Sequence, residues 1–167
     1  MTPLIVKKKL TENASNVFIR LAEFRQTKRL QVELLLMLVK FIDKSDLREN
    51  AEAFQLIDTD RTGSITALEC IDKVKQINES DAFDFRINEN DVHQFIRKVD
   101  LDMTGKISYS QFLCATLTGN HFSKENMTNL FKDFDSLNAG YLTKESLLKT
   151  FKRNVRNIKM DDVIEMM

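Results

Sequence analysis

Apolar residues recur at helical spacing in three blocks of this chain, and each block runs into a polar stretch with a glycine near its middle. The first block is Leu47, Phe54 and Ile57; the second is Val92, Phe95, Ile96 and Val99; the third is Met127, Leu130, Phe131 and Phe134. The glycines are Gly63, Gly105 and Gly140, and two residues after each stands Ile65, Ile107 or Leu142. A branched apolar residue in a polar loop has no place there unless it faces a core. The pattern predicts helix, loop, helix three times over, with branched residues of paired loops joined by a short backbone bridge. Ahead of these blocks, Val17, Leu21 and Phe24, then Leu30, Leu34, Met37, Leu38 and Phe41, mark one face of a long amphipathic helix. Ser45 and Ser123 are expected to open helices, and residues 76–90 to be loop in part.

Composition agrees with an all-α chain. Of 167 residues, 43% are hydrophobic and 30% charged, with one proline and four glycines, too little punctuation for a many-stranded sheet. The net charge is zero but unevenly spread, because residues 1–44 hold nine Lys/Arg against four Asp/Glu. The expected organisation is a basic amphipathic segment over 1–44, a loop pair over 45–120 and a third repeat over 121–167. Cys70 and Cys114 form no metal or redox motif and read as buried thiols in a reducing compartment. "KKKL" leads into no signal-peptide core, and "LLLMLV" is too short to span a bilayer, so a cytoplasmic location is expected. No catalytic residues are legible, and nucleic acid is not expected as a partner.

The polar stretches carry the chemistry. Calcium takes about six to eight oxygen ligands, and a twelve-residue loop can supply them by wrapping once around the ion. In the first loop, 58–69, Asp58, Asp60 and Thr62 offer side-chain oxygens, Ser64 its carbonyl, Thr66 a water contact and Glu69 two carboxylate oxygens. Gly63 serves the sharp reversal between them. This is the EF-hand loop pattern, with Thr62 where Asp or Asn is commoner. The second loop, 100–111, offers Asp100, Asp102, Thr104, the Lys106 carbonyl and Gln111. A neutral glutamine replaces the closing glutamate, which leaves two readings: a weaker calcium site, or a loop kept to pair with the first. The third loop, 135–146, keeps Asp135 and Gly140 but has Leu137, Ala139 and Ser146 at ligand positions, and is expected to be metal-free.

The stretch "NVFIRLAEFRQTKRLQVELLLMLVKFIDKSDLRENAEAFQLIDTDRTGSIT" running into these loops resembles the junction and calmodulin-like domain of plant and protist calcium-dependent protein kinases, over about residues 10–167. The resemblance implies calmodulin-like EF-hand lobes that grip an autoinhibitory junction when calcium rises, releasing an upstream serine/threonine kinase domain. The junction residues it implies are Leu21, Phe24, Arg25, Lys28, Leu30 and Leu34. Partners would then be intramolecular, the junction helix and the kinase domain, while this chain itself performs no catalysis. The alternative is a stand-alone adaptor or light-chain-like protein that holds a partner's helix. A membrane-surface role for the arm is disfavoured by Glu12, Glu23 and Glu33, which interrupt its basic face. The family usually has four loops; here "NIKMDDVIEMM" reads as the entering helix of a fourth hand, and the unmated third hand leaves dimerisation open. One saturated site at 100 times its dissociation constant supplies about 2.7 kcal/mol. A sharp switch needs about 5.5 kcal/mol, so the first loop alone falls short, and either the second loop binds, or a fourth loop does, or the domain responds only partially.

Overall fold

The expected spacing becomes eight α-helices among the described residues of the computed structural model, which covers residues 3–24, 29–79, 86–100, 102–154, 161, 163 and 164. In chain order they are α1 (Pro3–Glu23), α2 (Arg29–Val39), α3 (Arg48–Ile57), α4 (Ala67–Asn78), α5 (Glu89–Val99), α6 (Tyr109–Thr116), α7 (Lys124–Phe134) and α8 (Lys144–Asn154). A single 3-10 turn, Gly119–Phe122, precedes α7. Two short strands, β1 (Ser64–Thr66) and β2 (Lys106–Ser108), lie inside the first two polar loops. They pair antiparallel with Ile65 opposite Ile107, the bridge expected from the branched residues after each glycine. The architecture is a series of EF-hand helix-loop-helix repeats.

Helix starts are set by short side chains that satisfy otherwise orphaned amides. Thr66 with Glu69, and Ser108 with Gln111, form reciprocal capping boxes that open α4 and α6. Asn88 and Asp91 do the same for α5. Ser123 caps α7 as expected, accepting from the Asn126 N–H at 3.1 Å. Ser45 does not cap α3, which begins at Arg48; residues 44–47 turn first, with the Arg48 N–H donating to the Ser45 carbonyl at 3.4 Å.

The chain forms two compact units. The first combines residues 1–26 with 44–117, and the second combines 27–43 with 118–167. The segment 1–44, expected as one arm, is thus shared between them. Its described helices are α1 in the first unit and α2 in the second.

In the first unit α1 is part of the core. Ala14, Val17, Phe18 and Leu21 are buried at the spacing i, i+3, i+4, i+7, and α1 packs on α3, α5 and α6. The Phe18 ring lies 5.9 Å from that of Phe95, and Phe54 meets Phe112 edge-on at 5.1 Å. Polar contacts fix the docking. Asn50, itself buried, donates from Nδ2 to Thr116 Oγ1 at 2.8 Å, and Thr116 Oγ1 in turn donates to the Phe112 carbonyl at 2.8 Å. Arg20 donates to the Thr116 carbonyl at 3.5 Å, and Lys98 to the Ala22 carbonyl at 3.4 Å, each a cation on the last turn of a helix. In the second unit, α2 packs on α7, and Phe134 and Phe151 meet edge-on at 5.2 Å across α7 and α8. The buried residues there include Val32, Met37, Leu38, Leu130 and Leu147.

Both cysteines are buried and free, as expected, and burial pushes the Cys70 thiol well above its ordinary range. Truncating Phe18 to alanine removes a fully buried ring from the first unit and should cost about 3–5 kcal/mol, read as a lowered urea midpoint for the transition of that unit.

Candidate metal centre

All three loops are built on one local device. The leading aspartate accepts two backbone N–H groups, four and five residues on, one on each carboxylate oxygen. Asp58 accepts from Thr62 and Gly63, both at 2.9 Å. Asp100 accepts from Thr104 at 3.0 Å and Gly105 at 2.6 Å. Asp135 accepts from Ala139 and Gly140, both at 2.8 Å. The turn this creates drives Gly63, Gly105 and Gly140 to φ near +78°, where a side chain would be strained. It also places Arg61 and Met103, two residues earlier, at φ of 55° and 54°. Nothing in the residue types of Arg61 and Met103 marks them as left-handed; the loop template demands it.

The first loop brings its acidic side chains together. Ligand oxygens of Asp58, Asp60 and Glu69 lie within 4.8 Å of one another, with Asp58 buried, Glu69 half-buried and Asp60 exposed. Glu69 stands at the start of α4, where Oε2 accepts from the Thr66 N–H at 2.9 Å and the Thr66 hydroxyl at 2.7 Å. Its other oxygen reaches back across the loop to the Thr59 N–H at 2.9 Å. Thr59 is a residue that spacing alone did not single out. The Thr62 hydroxyl donates to the Ser64 carbonyl at 3.1 Å, so both oxygens lie on the same side of the turn.

Burial pushes the Glu69 carboxyl up, but the Thr66 amide and hydroxyl, the Asp60 amide and the Thr59 hydroxyl together outweigh it and hold the group below its usual range. Asp60 is held low as well, chiefly by its hydrogen bond with Thr62. Converging ionised carboxylates, a hydroxyl and a carbonyl make an all-oxygen donor set. Such a set suits a hard divalent cation and has no soft ligand for a transition metal. Among the described residues this is the one grouping of three or more His, Cys, Asp or Glu side chains close enough to share an ion.

The second loop differs at its closing residue. Gln111 is buried, its Oε1 accepts from the Ser108 N–H at 2.8 Å, and its Nε2 donates to Asp102 Oδ1 at 2.7 Å. That bond is the main reason the Asp102 carboxyl sits below its ordinary range. The Thr104 hydroxyl donates to the Lys106 carbonyl at 3.3 Å, repeating the Thr62–Ser64 contact. In the third loop Asp135 keeps its two amides, while Leu137 is 84% exposed and Ser146 hydrogen-bonds only within the Thr143 cap. The aspartate survives there for the turn.

The residues assigned to the junction are dispersed. Leu21 is buried in the first unit and Phe24 half-buried just past α1. Leu34 belongs to the second unit, where it lines an apolar cavity of about 820 Å³ with Leu35, Met127, Phe131 and Leu142. Arg25, Lys28 and the Leu30 side chain lie outside the described residues, as does most of "NIKMDDVIEMM". Ala14 and Phe18 share the buried face of α1, although the expected face began only at Val17. The helical spacing that reaches back to Ala14 was the signal for them.

Asp135→Ala should lower the stability of the second unit by about 1.5–3 kcal/mol, since amides lose a charged acceptor. The loss should be equal in thermal scans with calcium and with chelator. In the first loop the lowered carboxyls imply that calcium uptake persists into mild acid. It should fail only as pH drops through or below the ordinary carboxylate range, where Asp60 and Glu69 take up protons. A calcium titration repeated across pH checks this.

Among the described residues no helix is long and apolar enough to cross a membrane. Residues 47–117 match the EF-hand domain pair family. The chain is also similar to calcium-dependent protein kinase 33 of Arabidopsis thaliana, 30% identical over 139 residues, which are 83% of this chain and 26% of that protein. Calcium-dependent protein kinase 9 of Arabidopsis thaliana is 29% identical over 83% of this chain and 25% of its own length. Calcium-dependent protein kinase 11 of Oryza sativa subsp. japonica is 25% identical over 90% of this chain and 25% of its own length. The chain therefore spans about a quarter of the curated relatives it matches. With the loop geometry, these similarities identify residues 47–117 as a calcium-binding EF-hand pair, in a chain that resembles calcium-dependent protein kinases along most of its length.

Proposed function

We propose that this chain is the calcium-sensing regulatory part of a serine/threonine protein kinase, and that calcium on the first loop relieves autoinhibition. The ligands are Asp58, Asp60, the Thr62 hydroxyl, the Ser64 carbonyl and Glu69. The single observation that carries the reading is the position of α1. Its apolar face is buried in the same unit as the carboxylate cluster, against α3, whose C-terminal cap is Asp58. An ion drawing Glu69 and Asp58 together changes the angle between α3 and α4. That change must be felt by the helix lying on them. On this reading α1 is the inhibitory element and the pair is its calcium-dependent grip. The kinase domain lies elsewhere in the parent protein, and catalysis belongs to it. A sensor of this kind binds calcium at about 10⁻⁷–10⁻⁵ M.

One observation favours the adaptor reading in part. The second unit offers an open apolar cavity in which Met127, Phe122 and Phe131 are each more than a third exposed, a surface that would suit a partner's helix. The readings separate on whether α1 responds to calcium. Hydrogen exchange of residues 12–23 should change on adding calcium, and the change should vanish in Glu69→Gln. Exchange in α1 that ignores calcium while the first loop demonstrably binds it would refute the regulatory coupling and leave the adaptor role.

A further inference from the structure

Gln111 stands where the first loop has Glu69, but its amide can do what a carboxylate cannot, which is donate. Oε1 takes the capping contact with the Ser108 N–H at 2.8 Å, and Nε2 gives a hydrogen bond to Asp102 at 2.7 Å. The early and closing residues of the second loop are therefore tied directly, with their charge met by a donor from within the chain. Asp100 accepts the amides of Thr104 and Gly105 just as Asp58 accepts those of Thr62 and Gly63, so the two loops differ at the closing residue and not at the leading aspartate. In the first loop the corresponding groups are all carboxylates and converge within 4.8 Å. No donor lies among these three carboxylates themselves, so an added cation would complete their shared shell. The loops are also coupled. Ile65 and Ile107 face each other in the β1–β2 ladder, both essentially inaccessible, and the Tyr109 N–H donates to the Gly63 carbonyl at 3.3 Å.

We propose that Gln111 is a built-in latch that takes the place of an ion in the second loop. The pair then binds one calcium, on the first loop, without cooperativity, while the latched second loop holds the first in its binding shape through the β1–β2 ladder. This deepens the calcium reading above and rests on the first loop as the site. Filling the second loop would require breaking the Gln111–Asp102 bond and closing a shell with two carboxylates where the first loop has three.

Calorimetric calcium titration of the full chain, with the side-chain amide signals of the nitrogen-15-labelled protein followed in parallel, tests the latch. The expected result is one ion per chain, none in Glu69→Gln, and a Gln111 amide protected from exchange both with chelator and with calcium. Gln111→Glu should gain a second ion. Two ions in the unmodified chain, one of them surviving Glu69→Gln with the Gln111 amide displaced as it binds, would overturn the latch and leave the first loop as a site. An unmodified chain that takes no calcium while the Gln111 amide stays protected would uphold the latch and refute the first-loop assignment. The amide measurement needs no variant, so a misfolded mutant cannot hide the answer.

Discussion

The loops of this protein exist because a single aspartate can hold two backbone amides at once. Asp58, Asp100 and Asp135 each do so, at distances between 2.6 and 3.0 Å. These are charge-assisted bonds, stronger than neutral ones, and they fix a backbone reversal that nothing else in a polar loop would fix. The glycine follows from that reversal, since it falls where the chain must take a positive φ. In the first two loops the branched residue two positions on then faces its partner strand, and the closing residue arrives at the start of the next helix. Every later feature of a hand, metal or no metal, inherits this geometry.

On that shared frame the three loops differ by the chemistry of a few side chains. The first gathers three carboxylates into a space where a cation would relieve their mutual repulsion. The second substitutes one amide, which turns repulsion into a hydrogen bond. The third has replaced its other ligands by Leu137, Ala139 and Ser146 and keeps only the turn. On the reading proposed above, the series runs from a charged loop to a latched one to one without further carboxylates, and a single calcium site acts alone. One saturated site at 100 times its dissociation constant contributes about 2.7 kcal/mol, short of an all-or-none change.

On the regulatory reading proposed above, the first helix is what the calcium loop acts upon. α1 fills the first unit with Phe18 and Leu21, and its last turn and that of α6 are met by Lys98 and Arg20. On that reading, the energy of its release would be set by ordinary burial. At about 25 cal/mol per Å² of apolar surface, small changes in the fit of a few side chains are comparable to what one calcium site can supply.

The loop positions, their glycines and the Ile65–Ile107 bridge were legible from residue type and spacing, because a metal loop is a local object whose contacts span twelve residues. The capping role of Ser123 was legible for the same reason. Ser45 was misread as a cap, since a turn of the same composition can precede a helix without starting it. Which side of α1 is buried, and that Ala14 and Phe18 lead it, depended on α3, α5 and α6 being present to bury them. The division of residues 1–44 between two units, and the contact of Asn50 with Thr116 across 66 positions, likewise came from the packed chain. So did the hydrogen bond that makes Gln111 a donor rather than a poor ligand. Local order is written in neighbours along the chain, whereas burial and the partner of an amide are properties of what the folded chain brings alongside.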